Sequence, residues 1–92
     1  MHQKIKILNI EYSVEDVNDL YDVYSAYGLF NGRLNTIKYQ SGMQTTQEKA
    51  KLLHEFIHAI DEQLQLELTE QQVSGISESI LTFSYIDFNF KK

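Results

Sequence analysis

Apolar and polar residues alternate at the start of the chain. Lys4 to Tyr12 carries Ile5, Ile7, Ile10 and Tyr12, and Leu8 breaks the strict two-residue period. The pattern predicts one strand with a bulge. Ser13 then suits a helix N-cap, with Glu15 and Asp16 in the first turn, where the helix dipole favours acids. Val17, Leu20, Tyr21 and Tyr24 recur at helical spacing, so a short amphipathic helix is expected from about Val14 to Ser25. Asn31-Gly32 sits between Leu29-Phe30 and Arg33-Leu34 and signals a hairpin, since both residues tolerate positive φ. Its second arm runs from Arg33 to Gln40, and Ser41-Gly42 ends it.

Two longer helices follow. Thr45 with Glu48 three residues later is a capping-box pattern, and Leu53, Phe56, Ile57, Ile60 and Leu64 form a core-facing stripe. Thr69 with Gln72 opens the second helix, whose Val73, Ile76, Ile80 and Phe83 are expected to face the core. The tail, Tyr85-Ile86-Asp87-Phe88-Asn89-Phe90, alternates and leans towards a strand, although it could extend the helix. The outline is a single α+β domain over residues 1–92, with an antiparallel sheet packed on a helix pair. Strands, short helix and hairpin occupy residues 1–44, the helix pair 45–84 and the tail 85–92.

Composition narrows the function. The chain is 42% hydrophobic and 23% charged, too apolar for a disordered protein. It has no cysteine, which removes disulfides, thiolate metal sites and thiol nucleophiles, and fits the cytosol. The net charge is −5 and the eight Lys and Arg are scattered, apart from Lys91-Lys92, so no nucleic-acid interface is expected. Neither a signal peptide nor an apolar run long enough to span a membrane is present, so the expected location is cytoplasmic.

The chemistry lies in His54-Glu55-Phe56-Ile57-His58, inside the first long helix. Residues four apart stand one turn above each other, so both imidazoles project towards a common point and can bind a zinc ion (Zn2+) when neutral. Glu55 lies about 100° around the helix from His54, which puts its carboxylate beside the metal rather than on it. There it can take a proton from metal-activated water, as the H-E-x-x-H spacing of metallopeptidases requires. A chance H-E-x-x-H is usually a solvated helix face, but here two of only three histidines fall in the motif, next to the apolar stripe.

A catalytic zinc needs a third protein ligand. The only other histidine is His2, so a carboxylate is expected, from Glu70 or Glu78 on the following helix. Glu70 flanks the face of Val73, Ile76 and Ile80, whereas Glu78 points away from it; axial level in an antiparallel pair favours Glu78 instead. Facing weighs more, so Glu70 is preferred, although an acid just inside a helix N-terminus is favoured without any metal. Asp61, three residues after His58, is a candidate to orient a ligand imidazole, and more commonly such an acid is a solvated charge. Tyr39 and Tyr85 are candidates to stabilise an oxyanion.

The run from Lys51 to Asp61, followed by Leu68-Thr69-Glu70-Gln71-Gln72-Val73, resembles small phage and prophage proteins that look like reduced relatives of the ImmA/IrrE-type metallopeptidases, a gluzincin-like group. That family has a leucine-rich lead-in to H-E-x-x-H-A-x-D and then an E-x-x-V or E-x-x-A segment. The resemblance covers roughly Leu29 to Leu81 and is most specific in the helix pair. It implies a minimal zincin-like fold, with His54, His58 and Glu70 as zinc ligands and Glu55 as catalytic base. It also implies that the strand before the active-site helix, Asn35, Thr36, Ile37, Lys38 and Tyr39, forms a wall of the substrate cleft. The implied activity is hydrolysis of an intracellular protein, such as a regulator, in the bacterial host cytoplasm. The alternative is a zinc-binding, non-catalytic phage protein that binds a host or phage protein. Its aromatic tail would then pair with another chain, in a homodimer or a host contact.

Overall fold

Pairing across the sheet, rather than local helical spacing, decides the first twenty residues. The computed structural model describes residues 2–83. The expected tail strand, with Tyr85, Ile86, Phe88 and Phe90, lies outside the described residues, as does the Phe83 side chain.

Lys4 to Tyr12 is not one bulged strand. It belongs to a hairpin of β1 (His2–Ile7) and β2 (Ile10–Val17), antiparallel, with Ile5 opposite Tyr12 and Ile7 opposite Ile10. Leu8, the residue that breaks the alternation, is in the turn with φ 54°. A leucine rarely takes that conformation, so no local signal marks the turn. Asn9 donates its backbone N–H to Gln63 Oε1 (3.2 Å), which ties the turn to the helix layer.

The helix expected from Val14 to Ser25 shrinks to α1 (Leu20–Tyr24). Ser13 is no cap; it lies in β2, and its N–H donates to the Asn35 carbonyl (2.9 Å). Tyr12 and Val14 point into the core at 0% and 4% exposure, which is strand periodicity. The chain stays extended to Val17 because β2 is paired on both edges. β1 lies on one side, and β4 (Thr36–Gln40) runs parallel to it on the other, from Ser13 opposite Thr36 to Val17 opposite Gln40.

The Asn31-Gly32 hairpin is present as β3 (Gly28–Asn31) antiparallel to β4. Its connection is longer than a two-residue turn: Asn31 Oδ1 accepts the N–H groups of Arg33 (3.0 Å) and Leu34 (3.2 Å), and Asn35 carries the positive φ of 53°. The strand order is β1-β2-β4-β3. The sheet is therefore mixed rather than antiparallel, with β1 and β3 on its edges and β4 inside.

One face of this sheet is covered by α2 (Thr45–Leu64), and α3 (Glu70–Phe83) packs on α2. The N-cap of α2 is Gln44, so Thr45 is the first helical residue and not the cap of a Thr45–Glu48 box. The core joins Tyr12, Val14, Ile37 and Ala59 with Phe30, Leu52 and Phe56 around them. Ile57 is buried as expected, but Leu64, the last residue of the expected stripe, is 54% exposed. Leu52, Phe56, Ala59 and Gln63 make the face that meets the sheet.

The Thr69–Gln72 box that opens α3 is formed, with Thr69 N–H to Gln72 Oε1 at 2.8 Å and Gln72 N–H to Thr69 Oγ1 at 3.1 Å. Val73 is buried as expected, whereas Ile76 and Ile80 are exposed and Ser77 takes the inward place. Ser77 is tolerated there because its hydroxyl donates to the Val73 carbonyl (2.8 Å).

Gln63 joins the two layers by polar contacts: its amide donates to the Ile7 carbonyl (2.8 Å) and the Tyr12 hydroxyl (3.0 Å). Gln63→Ala should cost about 2 kcal/mol in urea unfolding, because the fully buried Tyr12 loses its hydroxyl partner. Combined with Tyr12→Phe, the loss should be clearly less than additive.

Candidate metal centre

The 20-residue helix α2 presents His54 and His58 from successive turns, both half-buried, towards the start of α3. Glu70 is the first residue of α3, and the turn between the helices aims it back at them. That turn is set by left-handed residues, Gln65 (φ 54°) and Glu67 (φ 58°). Asp61 holds it: its carbonyl accepts from Gln65 and Leu66, and its Oδ1 accepts the Leu68 N–H (3.3 Å).

The three side chains converge. His54 Nε2 is 3.0 Å from Glu70 Oε1, His58 Nε2 is 3.0 Å from Glu70 Oε2, and the two Nε2 atoms are 3.2 Å apart. Two ring nitrogens that face each other and a carboxylate make a donor set that could hold a metal ion. Glu78, the other candidate ligand, lies exposed further along α3 and is not part of this group.

Glu55 points the other way around α2, towards the sheet, and is 8% exposed. It can sit there because Gly28 has no side chain: a Cβ at that position would lie 2.8 Å from Glu55 Oε2 and 3.0 Å from its Cγ. Burial, and then the negative charge of Glu70, push the Glu55 carboxyl up to about 7, with Lys51 opposing. Glu55, His54, His58 and Glu70 share one open cleft of about 360 Å³, whose other wall is Gly28, Leu29 and Phe30.

The other expected site residues are placed as follows. Asp61 serves the turn described above, and the polar neighbour of the His54 ring is Ser74, whose Oγ is 3.4 Å from His54 Nδ1. Thr36, Ile37, Lys38 and Tyr39 lie on β4, whose two edges are taken by β2 and β3, and Asn35 is in the preceding loop. The strand that can offer free backbone groups to the cleft is β3. Tyr39 does not line the cleft; its hydroxyl titrates above the ordinary tyrosine value because of burial and then the charges of Asp16 and Glu48. Tyr85 lies outside the described residues.

Gly28, Phe30 and Ser74 were not singled out from sequence as site residues. No local pattern marks them, since the approach of β3 to α2 is a long-range contact. Comparison with family models, curated proteins and solved structures finds no match to this chain. No helix among the described residues is long and apolar enough to cross a membrane.

Proposed function

We propose that the protein is a zinc-dependent peptidase of minimal zincin type. The observation that carries this reading is the meeting, in one open cleft, of the His54–His58–Glu70 group with the buried carboxylate of Glu55. The donors are close enough to share one ion: one ligand atom from each of His54, His58 and Glu70 lies within 4.8 Å of the others, and the two Nε2 atoms are 3.2 Å apart. A zinc ion held by three protein ligands would keep a fourth position for water or substrate. The resemblance of the helix pair to ImmA/IrrE-type metallopeptidases supports the same assignment.

Zinc held there supplies a Lewis acid that acidifies water and polarises a carbonyl. Glu55 would accept the proton of the attacking water on its carboxylate and return it to the leaving amine, a role suited by its place in the same cleft as the His54–His58–Glu70 group. Ser74 steadies the His54 ring through Nδ1. The open edge of β3 can bind an extended peptide by main-chain hydrogen bonds beside the metal position, as an added strand. The substrate is then an unfolded segment of a protein, and the family resemblance suggests an intracellular regulator.

The test is incubation of the zinc-loaded protein with a pool of unstructured peptides, read by mass spectrometry. Cleavage that stops on chelation and returns with zinc is the expected result. A fully zinc-loaded protein that cuts nothing in the pool would leave the second reading, a zinc-holding interaction protein. Its support is the apolar surface at Leu68, Ile76 and Ile80, a face that could meet a partner.

A further inference from the structure

Further cavities flank the metal cleft on both sides along α2, and the two differ in charge. Four contacts trace this row. Lys51 Nζ lies 5.8 Å from the centre of the Tyr27 ring, and Gly28 abuts Glu55. The Phe30 ring stacks on His58 at 6.5 Å, and Gly32 abuts the Glu62 carboxylate. The strand and α2 therefore advance side by side. β3 itself, from Gly28 to Asn31, spans roughly 10 Å, and residues 51 to 62 of α2 extend that wall to roughly 17 Å. A groove of that length fits about five residues of extended peptide.

At the Tyr27 end, next along the chain from the cleft wall at Gly28, lies a second cavity lined by Lys51, Gln44 and Gln47 and by no acid. Of the acids near Lys51 along α2, Glu48 acts on the Tyr39 hydroxyl, and Glu55, one turn on, faces Gly28 with Lys51 partly offsetting its charge. Lys51 is held against the Tyr27 ring, which fixes its charge at the mouth of this cavity. At the other end a cavity shares Phe30 and His58 with the metal cleft and adds Asp61, Glu62 and Glu67. Asp61 is partly used by the Leu68 N–H, while among the described residues Glu62 and Glu67 take part in no ion pair.

Resting on the peptidase reading, we propose that this groove selects substrates by charge order. The segment it binds carries an acidic residue or a terminal carboxylate at the Lys51–Tyr27 end. It carries a basic residue at the Asp61–Glu62–Glu67 end, and the scissile bond lies between them. Groove walls of opposite charge favour one orientation of a peptide and reject the reverse, because like charges then meet at both ends. The protein is acidic as a whole, with net charge −5, so general charge would favour any basic peptide. A preference for mixed charge in one order is specific to the groove.

The experiment measures binding of fluorescent ten-residue peptides by anisotropy, to Glu55→Gln protein with and without zinc, so that no peptide is consumed. The four peptides carry two lysines before and two glutamates after a neutral centre, the reverse order, lysines on both sides, or glutamates on both sides. One mixed order should bind at least tenfold tighter than the other three, with the advantage shrinking as salt rises. The favoured order also tells whether the peptide lies parallel or antiparallel to β3. Lys51→Glu should remove the advantage while leaving zinc content unchanged. Affinities within threefold of one another, a best peptide of a single charge sign, or no effect of Lys51→Glu would overturn the proposal. Zinc content and wild-type cleavage are read separately. A zinc-loaded enzyme that cuts without charge order sinks this inference alone, whereas absent zinc and absent cleavage sink the peptidase reading.

Discussion

Saturating zinc should raise the melting temperature of the metal-free protein by about 10–30 °C, and His58→Ala should abolish the rise. A ligand that binds only the folded state stabilises it by about 2.7 kcal/mol at 100 times its Kd and about 4.1 kcal/mol at 1,000 times. In a small domain each kcal/mol moves the midpoint by roughly 4–8 °C, which gives the stated range. The response should be strong because the ligands come from two elements. His54 and His58 lie on α2 and Glu70 on α3, so zinc would clamp the helix pair at the turn held by Asp61. His58→Ala leaves His54 and Glu70, too few to hold zinc at micromolar concentrations, and elemental analysis should fall from about one zinc per chain to near none. Magnesium should give no comparable shift, since it prefers an octahedral oxygen shell to imidazole. No zinc shift and no bound zinc would mean that His54, His58 and Glu70 form a hydrogen-bonded cluster and nothing more.

The helix pair was legible in the sequence because its signals are local. Residues four apart on a helix must share a face, so the proximity of His54 and His58 followed from spacing alone. The Thr69–Gln72 box is a contact between residues three apart and formed as read. Glu70, preferred over Glu78 for its facing, does lie beside His54 and His58, and Glu78 does not. What failed was long-range. Val17, Leu20, Tyr21 and Tyr24 do have helical spacing, but pairing of β2 with β1 and β4 outweighs it up to Val17. The turn at Leu8 carries no turn residue, so one strand was expected where two exist. The same blindness put the cleft wall on β4: the chain order places β4 next to α2, but the sheet order places it inside, with β3 on the edge. Ile76 and Ile80 have the period of a buried stripe, yet α2 meets the neighbouring face of α3 at Val73 and Ser77. Periodicity shows that a face exists; which face is covered depends on the angle at which the helices pack.

Glu55→Gln should have two separable effects. In the zinc-loaded protein, peptide hydrolysis should fall by on the order of 10²–10⁴, the usual worth of a positioned general base, with zinc content unchanged, because Glu55 faces Gly28 and lies outside the His54–His58–Glu70 group. In the metal-free protein, the same change should alter how stability depends on pH. The folded carboxyl titrates at about 7 against an ordinary 4.5, so between these values the folded state binds more protons than the unfolded chain. Stability contributed by this group is then fully present below pH 4.5 and declines as pH rises towards 7. The whole loss is on the order of 3 kcal/mol, from a shift of about 2.5 units at about 1.4 kcal/mol each. Wild type should therefore lose stability relative to Glu55→Gln on going from pH 5 to pH 8, and the difference between the two curves cancels what other groups contribute. The amide avoids the desolvated negative charge and its repulsion from Glu70, while filling the same space against Gly28. Bound zinc, a double positive charge beside Glu55, should flatten the wild-type curve. Parallel curves for the two metal-free proteins would show that Glu55 is ionised and solvated in the metal-free fold, and that its packing against Gly28 does not hold the proton.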